Sequence, residues 1–234
     1  MTLVAGDHAK FYSSKNLTSW EYLSDFGKDI GAHGGVWECP DLFELTVEGT
    51  DEKRWVLLIS INPGAPNGGS GTQYFVGDFD GTTFTTSQKD IKWVDYGPDN
   101  YAGVTYNGLP DAARTFIGWI SNWNYARDTP TENWRSAMTL SRKLTLHKNN
   151  DYYLKNYPVA AINDYSYESN TYNKITDKYS LTSENFNEMR IDFEIEGALQ
   201  DFEITFSNIP NDQLSLGYDK AKDAFYVDRQ TSGK

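Results

Sequence analysis

Glycine, proline and asparagine divide this chain into short runs of strand-forming residues, and this spacing leaves few folds open to it. Branched and aromatic residues dominate the runs, while the residues between them supply the backbone conformations of turns. The runs span residues 10–13, 41–47, 55–61, 72–79, 101–106 and 115–120. Helical periodicity is hard to find anywhere in the chain. The sequence therefore predicts an all-β protein.

One of these runs restricts the architecture further. Residues 55–59 read Trp-Val-Leu-Leu-Ile and are apolar throughout instead of alternating with polar residues. Such a run is typical of a strand that is covered on both faces, as the inner strands of stacked propeller blades are. The pattern favours a β-propeller over an open sheet.

The residue composition of the chain changes after Leu146. Residues 147–151 are polar, and residues 163–183 are rich in Asn, Ser, Thr and Tyr. Beyond them, residues 191–195 and 202–206 alternate apolar with polar side chains, as sandwich strands with one solvated face do, and residues 224–228 continue the pattern. We predict part of a β-propeller in residues 1–146, a linker in 147–160 and part of a β-sandwich in 161–234.

Composition excludes several classes of partner. The net charge of −12 would repel nucleic acid and anionic lipid surfaces, and no apolar run approaches the length of a membrane span. Cys39 is the single cysteine, and the three histidines are scattered, so the sequence predicts neither an internal disulfide nor a metal site. The opening residues turn polar too early for a secretory signal, which leaves the localisation undetermined.

A candidate general acid lies in residues 37–43, which read Trp-Glu-Cys-Pro-Asp-Leu-Phe. Glu38 stands between an indole and a thiol, and apolar surroundings disfavour an ionised carboxylate. A carboxylic acid that keeps its proton can donate it to a departing glycosidic oxygen. From these residues alone, an ordinary strand glutamate with its carboxylate in solvent stays open as the alternative.

The same residues, 37–43, resemble the acid/base motif of glycoside hydrolase family 32, the invertases, inulinases and levanases. Further segments resemble that family in the same order along the chain, namely residues 5–12, 60–64, 72–79, 95–99, 119–123 and 134–138. The resemblance runs through nearly the whole chain, including a tail, residues 214–229, that is similar to the family's C-terminal sandwich. It implies a five-bladed β-propeller joined to a β-sandwich.

The resemblance also implies a reaction. The family's enzymes are retaining β-fructosidases in which an Asp attacks a terminal fructosyl unit and a Glu protonates the leaving sugar. Glu38 matches the second role, and the implied substrates are sucrose, inulin or levan. No cofactor is expected.

Three further residues are predicted to bind substrate. Trp123 follows Ser-Asn where the family places an aromatic residue at the fructose pocket, and an indole face stacks well on sugar C–H groups. Trp37 and Cys39 flank the acid and are expected to tune it, with a packing role left open for both. Asp95 and Asp99 lie in a turn-forming segment, for which structural roles are the better interpretation.

Two motifs of the family are missing from these 234 residues. The nucleophile lies in a Trp-Met-Asn-Asp-Pro-Asn-Gly type segment, and an Arg-Asp-Pro triplet holds an Asp that binds fructose hydroxyls. Arg127-Asp128-Thr129 lacks the proline and follows the Glu motif where the family's triplet precedes it, so no substrate role is predicted for Asp128.

We therefore expect a fragment of a longer parent, inactive alone and self-associating through exposed propeller edges. A secreted or periplasmic parent fits the resemblance. Two alternatives stay open: a degenerate propeller that binds fructan without chemistry, and a fructosyltransferase parent.

Overall fold

The computed structural model describes residues 1–110, 113–165, 171–173, 178, 180, 191–192, 194–208 and 212–232. Within these residues the chain forms fifteen strands and one short 3₁₀ helix, Ala160–Tyr165. It divides into two compact units, Met1–Ser169 and Asn170–Lys234. The strands carry almost all of the regular structure, which confirms the all-β prediction.

Three antiparallel sheets make up the first unit. Sheet 1 contains β1 (Thr2–Val4), β2 (Ala9–Ser13) and β3 (Glu21–Phe26). Sheet 2 contains β4 (Val36–Thr46), β5 (Lys53–Asn62), β6 (Gly71–Phe79) and β7 (Phe84–Thr85), and β8 (Lys92–Trp93) also pairs with β6. Sheet 3 contains β9 (Tyr101–Thr105), β10 (Thr115–Trp119), β11 (Arg142–Lys148) and β12 (Tyr152–Pro158). Neighbouring strands follow one another along the chain, as they do within propeller blades.

Sheet 2 is buried on both faces, because sheet 1 covers one face and sheet 3 the other. On β5, Val56 and Leu58 pack into a cluster with Phe116 and Leu144 of sheet 3. The intervening side chains turn to the opposite face, since successive residues of a strand alternate. They pack into a second cluster with sheet 1; its members include Leu57, Ile59, Ile61, Phe11 and Phe26. The apolar run at 55–59 is thus the inner strand of stacked blades, as predicted.

The segment predicted as a linker, 147–160, forms part of sheet 3. It contains the end of β11 and all of β12, and the two strands pair from Arg142↔Pro158 to Lys148↔Tyr152. Side chains of sheet 2 hold β12 in place: the Tyr74 hydroxyl accepts a hydrogen bond from the Leu154 N–H at 3.1 Å. The structure places the division between units later in the chain, and the three-domain assignment itself stays a prediction.

The second unit contains one antiparallel sheet. Its strands are β13 (Phe202–Ser207), β14 (Gln213–Asp219) and β15 (Ala224–Thr231), in that order. β13 and β15 fall on the alternating runs predicted at 202–206 and 224–228. The third predicted run, 191–195, includes Phe193, which lies outside the described residues; its described members are not in a strand.

Among the described residues, no helix has the length and apolar character needed to cross a bilayer.

Deleting β12 tests whether residues 147–160 stabilise the first unit as part of its sheet or only act as a linker. A chain of residues 1–146 exposes the edge of β11 and loses the packing of Leu154 against the cluster between sheets 2 and 3. We expect its urea midpoint, followed by tryptophan fluorescence, to lie roughly 1 M or more below that of residues 1–165. Equal midpoints for the two chains would show that residues 147–160 act as a linker after all.

Candidate functional site

A β-bulge on β4 determines where Glu38 points. Glu38 pairs with Ser60 and Asp41 with Leu58, so β4 has one residue more than β5 across this step. Cys39 takes up the extra length with a φ of 47°, in the left-handed region that a residue with a side chain rarely adopts. Before the bulge, the odd-numbered Trp37 faces sheet 1; after it, the odd-numbered Phe43 faces sheet 3.

Because of this change of phase, Glu38 lies on the face of β4 opposite to Trp37, toward sheet 3. Its side chain is exposed, and the hydroxyl of Tyr101 on β9 donates a hydrogen bond to Glu38 Oε2. Tyr101 is itself buried. A carboxylate held by a fixed donor has a defined orientation, and one oxygen remains for a ligand.

Tyr101 was not predicted as a site residue. The sequence offers it only as the first residue of an apolar strand, and its partnership with Glu38 depends on how β9 packs beside β4. Asp41 adds to the same contact, since its Oδ2 accepts a hydrogen bond from the Thr105 N–H at 2.6 Å.

Trp37, for which substrate binding was predicted with a packing role left open, lies in the core of the structure. Its side chain is 1% exposed, and its indole N–H donates to the Ala32 carbonyl at 2.8 Å. His33 stacks on the ring at a centroid distance of 5.6 Å, and Gly27 lies so close that a Cβ there would come within 2.4 Å of it. A buried indole cannot stack on a sugar, so the packing role left open by the sequence is the one its contacts support.

Cys39 lies at the bulge and is half-buried. Burial raises the pKa of its thiol, and the negative charge of the neighbouring Glu38 raises it further. At neutral pH the thiol is therefore neutral, which suits a residue that modifies the surroundings of the acid better than a nucleophile.

Trp123 lines an open cleft of about 400 Å³ together with polar side chains. Its ring is 48% exposed and packs against Trp119 at a centroid distance of 5.1 Å. Trp119 in turn contacts Tyr101 at 6.2 Å, so a row of aromatic rings joins the cleft to the hydroxyl that holds Glu38. The other residues of the lining are Asn62, Asn124, Tyr125, Arg127 and Asp128.

The buried side chain of Asn122 fixes the loop that carries Trp123. Its amide N–H₂ donates to the carbonyls of Pro98 at 2.8 Å and Gly68 at 3.1 Å, and its Oδ1 accepts from the Asn124 N–H at 3.0 Å. A Cβ at Gly69 would lie 1.9 Å from that oxygen, so the approach requires glycine. One amide thus connects three loops, and buried amides with satisfied partners hold such connections rigidly.

Two aspartates that the sequence analysis considered lie in different surroundings. Asp128, for which no substrate role was predicted, lies in the lining of the cleft. Asp95 has the structural role predicted for it, because Arg142 pairs with its carboxylate at 2.6 Å and the Gly97 N–H donates to it at 2.8 Å. Burial acts to raise the pKa of Asp95, but these partners outweigh it and hold the pKa below its usual value.

Metal ligation has no candidate group among the residues that the structure describes, since no three His, Cys, Asp or Glu side chains converge there.

Comparison with known proteins gives consistent matches. The sequence model of the glycosyl hydrolases family 32 N-terminal domain matches residues 1–158. Levanase of Bacillus subtilis (strain 168) is 41% identical over 248 residues, which cover 100% of this chain and 36% of levanase. An extracellular exo-inulinase of Aspergillus niger is 40% identical over 241 residues, 95% of this chain and 44% of that protein.

Solved structures match as well. The crystal structure of exo-inulinase from Aspergillus awamori superposes with a TM-score of 0.75 at 34% identity, covering 97% of this chain and 47% of that one. The chain thus spans less than half the length of these relatives. The matches confirm the resemblance drawn from the motifs and the predicted fold, part of a five-bladed β-propeller followed by part of a β-sandwich.

The proximity of Glu38 and Cys39 can be tested on the chain itself. Because the charge of Glu38 contributes to the raised thiol pKa, Glu38→Gln should lower that pKa and increase the thiolate fraction at pH 8. We expect faster alkylation by iodoacetamide at fixed pH, and a pH–rate curve displaced to lower pH. Glu44→Gln, a change on the same strand, is the matched control and should leave the curve in place. If both variants behave alike, the Glu38 carboxylate does not act on the thiol.

Proposed function

The chain belongs to glycosyl hydrolases family 32, and from this premise we propose that residues 1–234 supply the general acid and base, Glu38, of a retaining β-fructosidase. The proposed reaction removes terminal fructosyl units from sucrose, inulin or levan. The relatives support this range, since they carry the names levanase, exo-inulinase and invertase.

One observation carries the proposal: Glu38 is exposed, and the Tyr101 hydroxyl orients its carboxyl group. An acid that protonates a leaving oxygen must reach the substrate and must also be held in one direction. The bulge supplies the first property and Tyr101 the second. A strand glutamate without a role needs neither.

In the proposed mechanism, Glu38 gives its proton to the glycosidic oxygen while a second carboxylate attacks the anomeric carbon of fructose. The C–O bond to the leaving sugar breaks, and a covalent fructosyl intermediate forms. Glu38, now ionised, takes a proton from water, which attacks the same carbon and releases fructose with retained configuration. The two carboxyl groups must lie roughly 5 Å apart.

The second carboxylate is not supplied by any motif of these 234 residues. No segment of the sequence resembles the family's nucleophile or its Arg-Asp-Pro triplet. We propose that residues 1–234 alone have no fructosidase activity and that turnover needs those segments in the same polypeptide.

Trp123 and Cys39 have supporting roles in this proposal. The exposed face of the Trp123 indole offers a stacking platform for a sugar, and the half-buried Cys39 thiol lowers the polarity beside the acid. Secretion of the whole protein and self-association through exposed propeller edges are also proposed. The Aspergillus niger relative, which is named extracellular, supports secretion.

The role of Glu38 can be tested by leaving-group dependence in a chimera in which the preceding segment of Bacillus subtilis levanase is joined to residues 1–234. Glu38→Gln should reduce kcat/KM on inulin by about 10²-fold or more, because the leaving oxygen loses its proton donor. A fructoside with a p-nitrophenolate leaving group needs little protonation, so its kcat/KM, which reports formation of the fructosyl intermediate, should fall by about tenfold at most.

Glu44→Gln in the same chimera should leave both substrates unaffected, and residues 1–234 alone should release no fructose. Equal losses of kcat/KM on both substrates, or most activity retained on inulin, would remove Glu38 from the acid role.

A further inference from the structure

We propose that Gln73, a buried residue of β6, is a positioning residue for the general acid. Its side-chain amide holds Ala32, Ala32 holds the indole of Trp37, and Trp37 directly precedes Glu38. The identity of Glu38 as the acid rests on the proposed function, whereas the contacts that lead to it are features of the structure.

Gln73 is a polar side chain in apolar surroundings. It is 1% exposed and lies on the same face of β6 as Phe75, which packs into the cluster between sheets 1 and 2. Its Oε1 accepts a hydrogen bond from the Ala32 N–H at 2.8 Å, and its Nε2 donates to the Ala32 carbonyl at 3.4 Å. Because a buried amide without partners is costly, these bonds fix Ala32 against β6.

The carbonyl of Ala32 has a second partner in the segment that carries the acid. It accepts the indole N–H of Trp37 at 2.8 Å, and its two lone pairs allow it to accept both bonds. The main chain of Trp37 is held as well, since its N–H donates at 2.7 Å to the carbonyl of Gly6, in the turn between β1 and β2. Glu38 is thus held from two sides: Tyr101 binds its carboxylate, and the contacts of Trp37 fix the main chain before it.

The loop between β3 and β4, residues 27–35, approaches β6 so closely that Gln73 is difficult to replace. A Cβ at Gly31 would lie 2.6 Å from the ring of Phe75 and 2.8 Å from Gln73 Oε1. An apolar side chain at position 73 could fill the same space, but it would leave the Ala32 N–H buried without a partner. The loop would then lose the contact that holds Ala32 under the indole of Trp37.

A second buried glutamine of the same sheet separates this role from general stabilisation. Gln88 is 6% exposed; its Oε1 accepts from the Val76 N–H at 3.2 Å, and its Nε2 donates to the carbonyls of Tyr74 and Asp90 at 3.0 Å each. These three partners all lie outside residues 27–38. Loss of the Gln88 amide should therefore reduce stability without displacing the acid.

The structural link can be measured on residues 1–234 without turnover. Gln73→Met keeps the length of the side chain and removes both hydrogen bonds to Ala32. By NMR, we expect the indole N–H of Trp37 to exchange with deuterium at least about tenfold faster in this variant, because its acceptor is no longer held. Gln88→Met is the matched control and should leave the rate within about twofold. Urea midpoints would record the loss of global stability in each variant.

The effect on the reaction can be measured in the levanase chimera. Gln73→Met should lower kcat/KM on inulin by about tenfold or more, and on the p-nitrophenolate fructoside by about threefold at most. Only the first substrate depends on a correctly aimed proton donor. Gln88→Met should leave the ratio of the two values unchanged. Gln73→Glu retains an oxygen that can accept the Ala32 N–H, so it should keep the ratio within about threefold of the parent.

Two results would overturn the inference: equal acceleration of Trp37 exchange in Gln73→Met and Gln88→Met, or equal losses of kcat/KM on both substrates in Gln73→Met. Either can occur while Glu38→Gln still gives the expected leaving-group dependence, so this inference can fail without the proposed function. Absence of that dependence in Glu38→Gln would overturn the proposed function and, with it, the role of Gln73 toward an acid. The exchange rates would still report the link between Gln73 and Trp37.

Discussion

The extra residue in β4 is the constraint from which the site follows. If β4 had no extra residue, the alternation that turns Phe43 and Leu45 toward sheet 3 would continue back along the strand. Trp37 would then also face sheet 3, and Glu38 would face sheet 1. The bulge shifts this phase between Glu38 and Asp41, so one strand can bury Trp37 on one side and present a carboxylate on the other. Bulges often lie beside active sites for this reason. The unfavourable φ of Cys39 is the local cost of the arrangement.

A second constraint acts from the opposite side of the site. The Asn122 side chain is 1% exposed, and its hydrogen bonds reach the loops at Gly68, Pro98 and Asn124. These loops carry the cleft, and sheet 2 carries the acid. Because burial of an amide without partners is costly, the three loops have one favourable arrangement instead of several. The rigidity of the cleft thus depends on a residue that contacts no substrate in the proposed mechanism.

The strands and the candidate acid can be predicted from the sequence, because each depends on a short run of neighbouring residues. The apolar run at 55–59 identifies a doubly covered strand, and residues 37–43 predict an acid at Glu38 through their resemblance to the family motif. The direction of Trp37 could not be predicted, since it depends on a register shift that no local pattern marks. Tyr101 and Asp128 likewise reach the site through contacts between elements distant in sequence. The polar residues 147–151 indicated a linker, but they form the last two residues of β11 and the turn that leads to β12.

The most direct measurement of the role of Glu38 is chemical rescue. In the levanase chimera, Glu38→Ala removes the acid and leaves space beside the anomeric carbon, which a small anion such as azide can enter. With an activated fructoside the covalent intermediate still forms, and azide needs no general base to attack it. We predict that azide restores turnover and yields fructosyl azide with the β configuration of the substrate. Absence of rescue would contradict the assignment of Glu38 as acid and base, and an azide product of inverted configuration would identify Glu38 as the nucleophile instead.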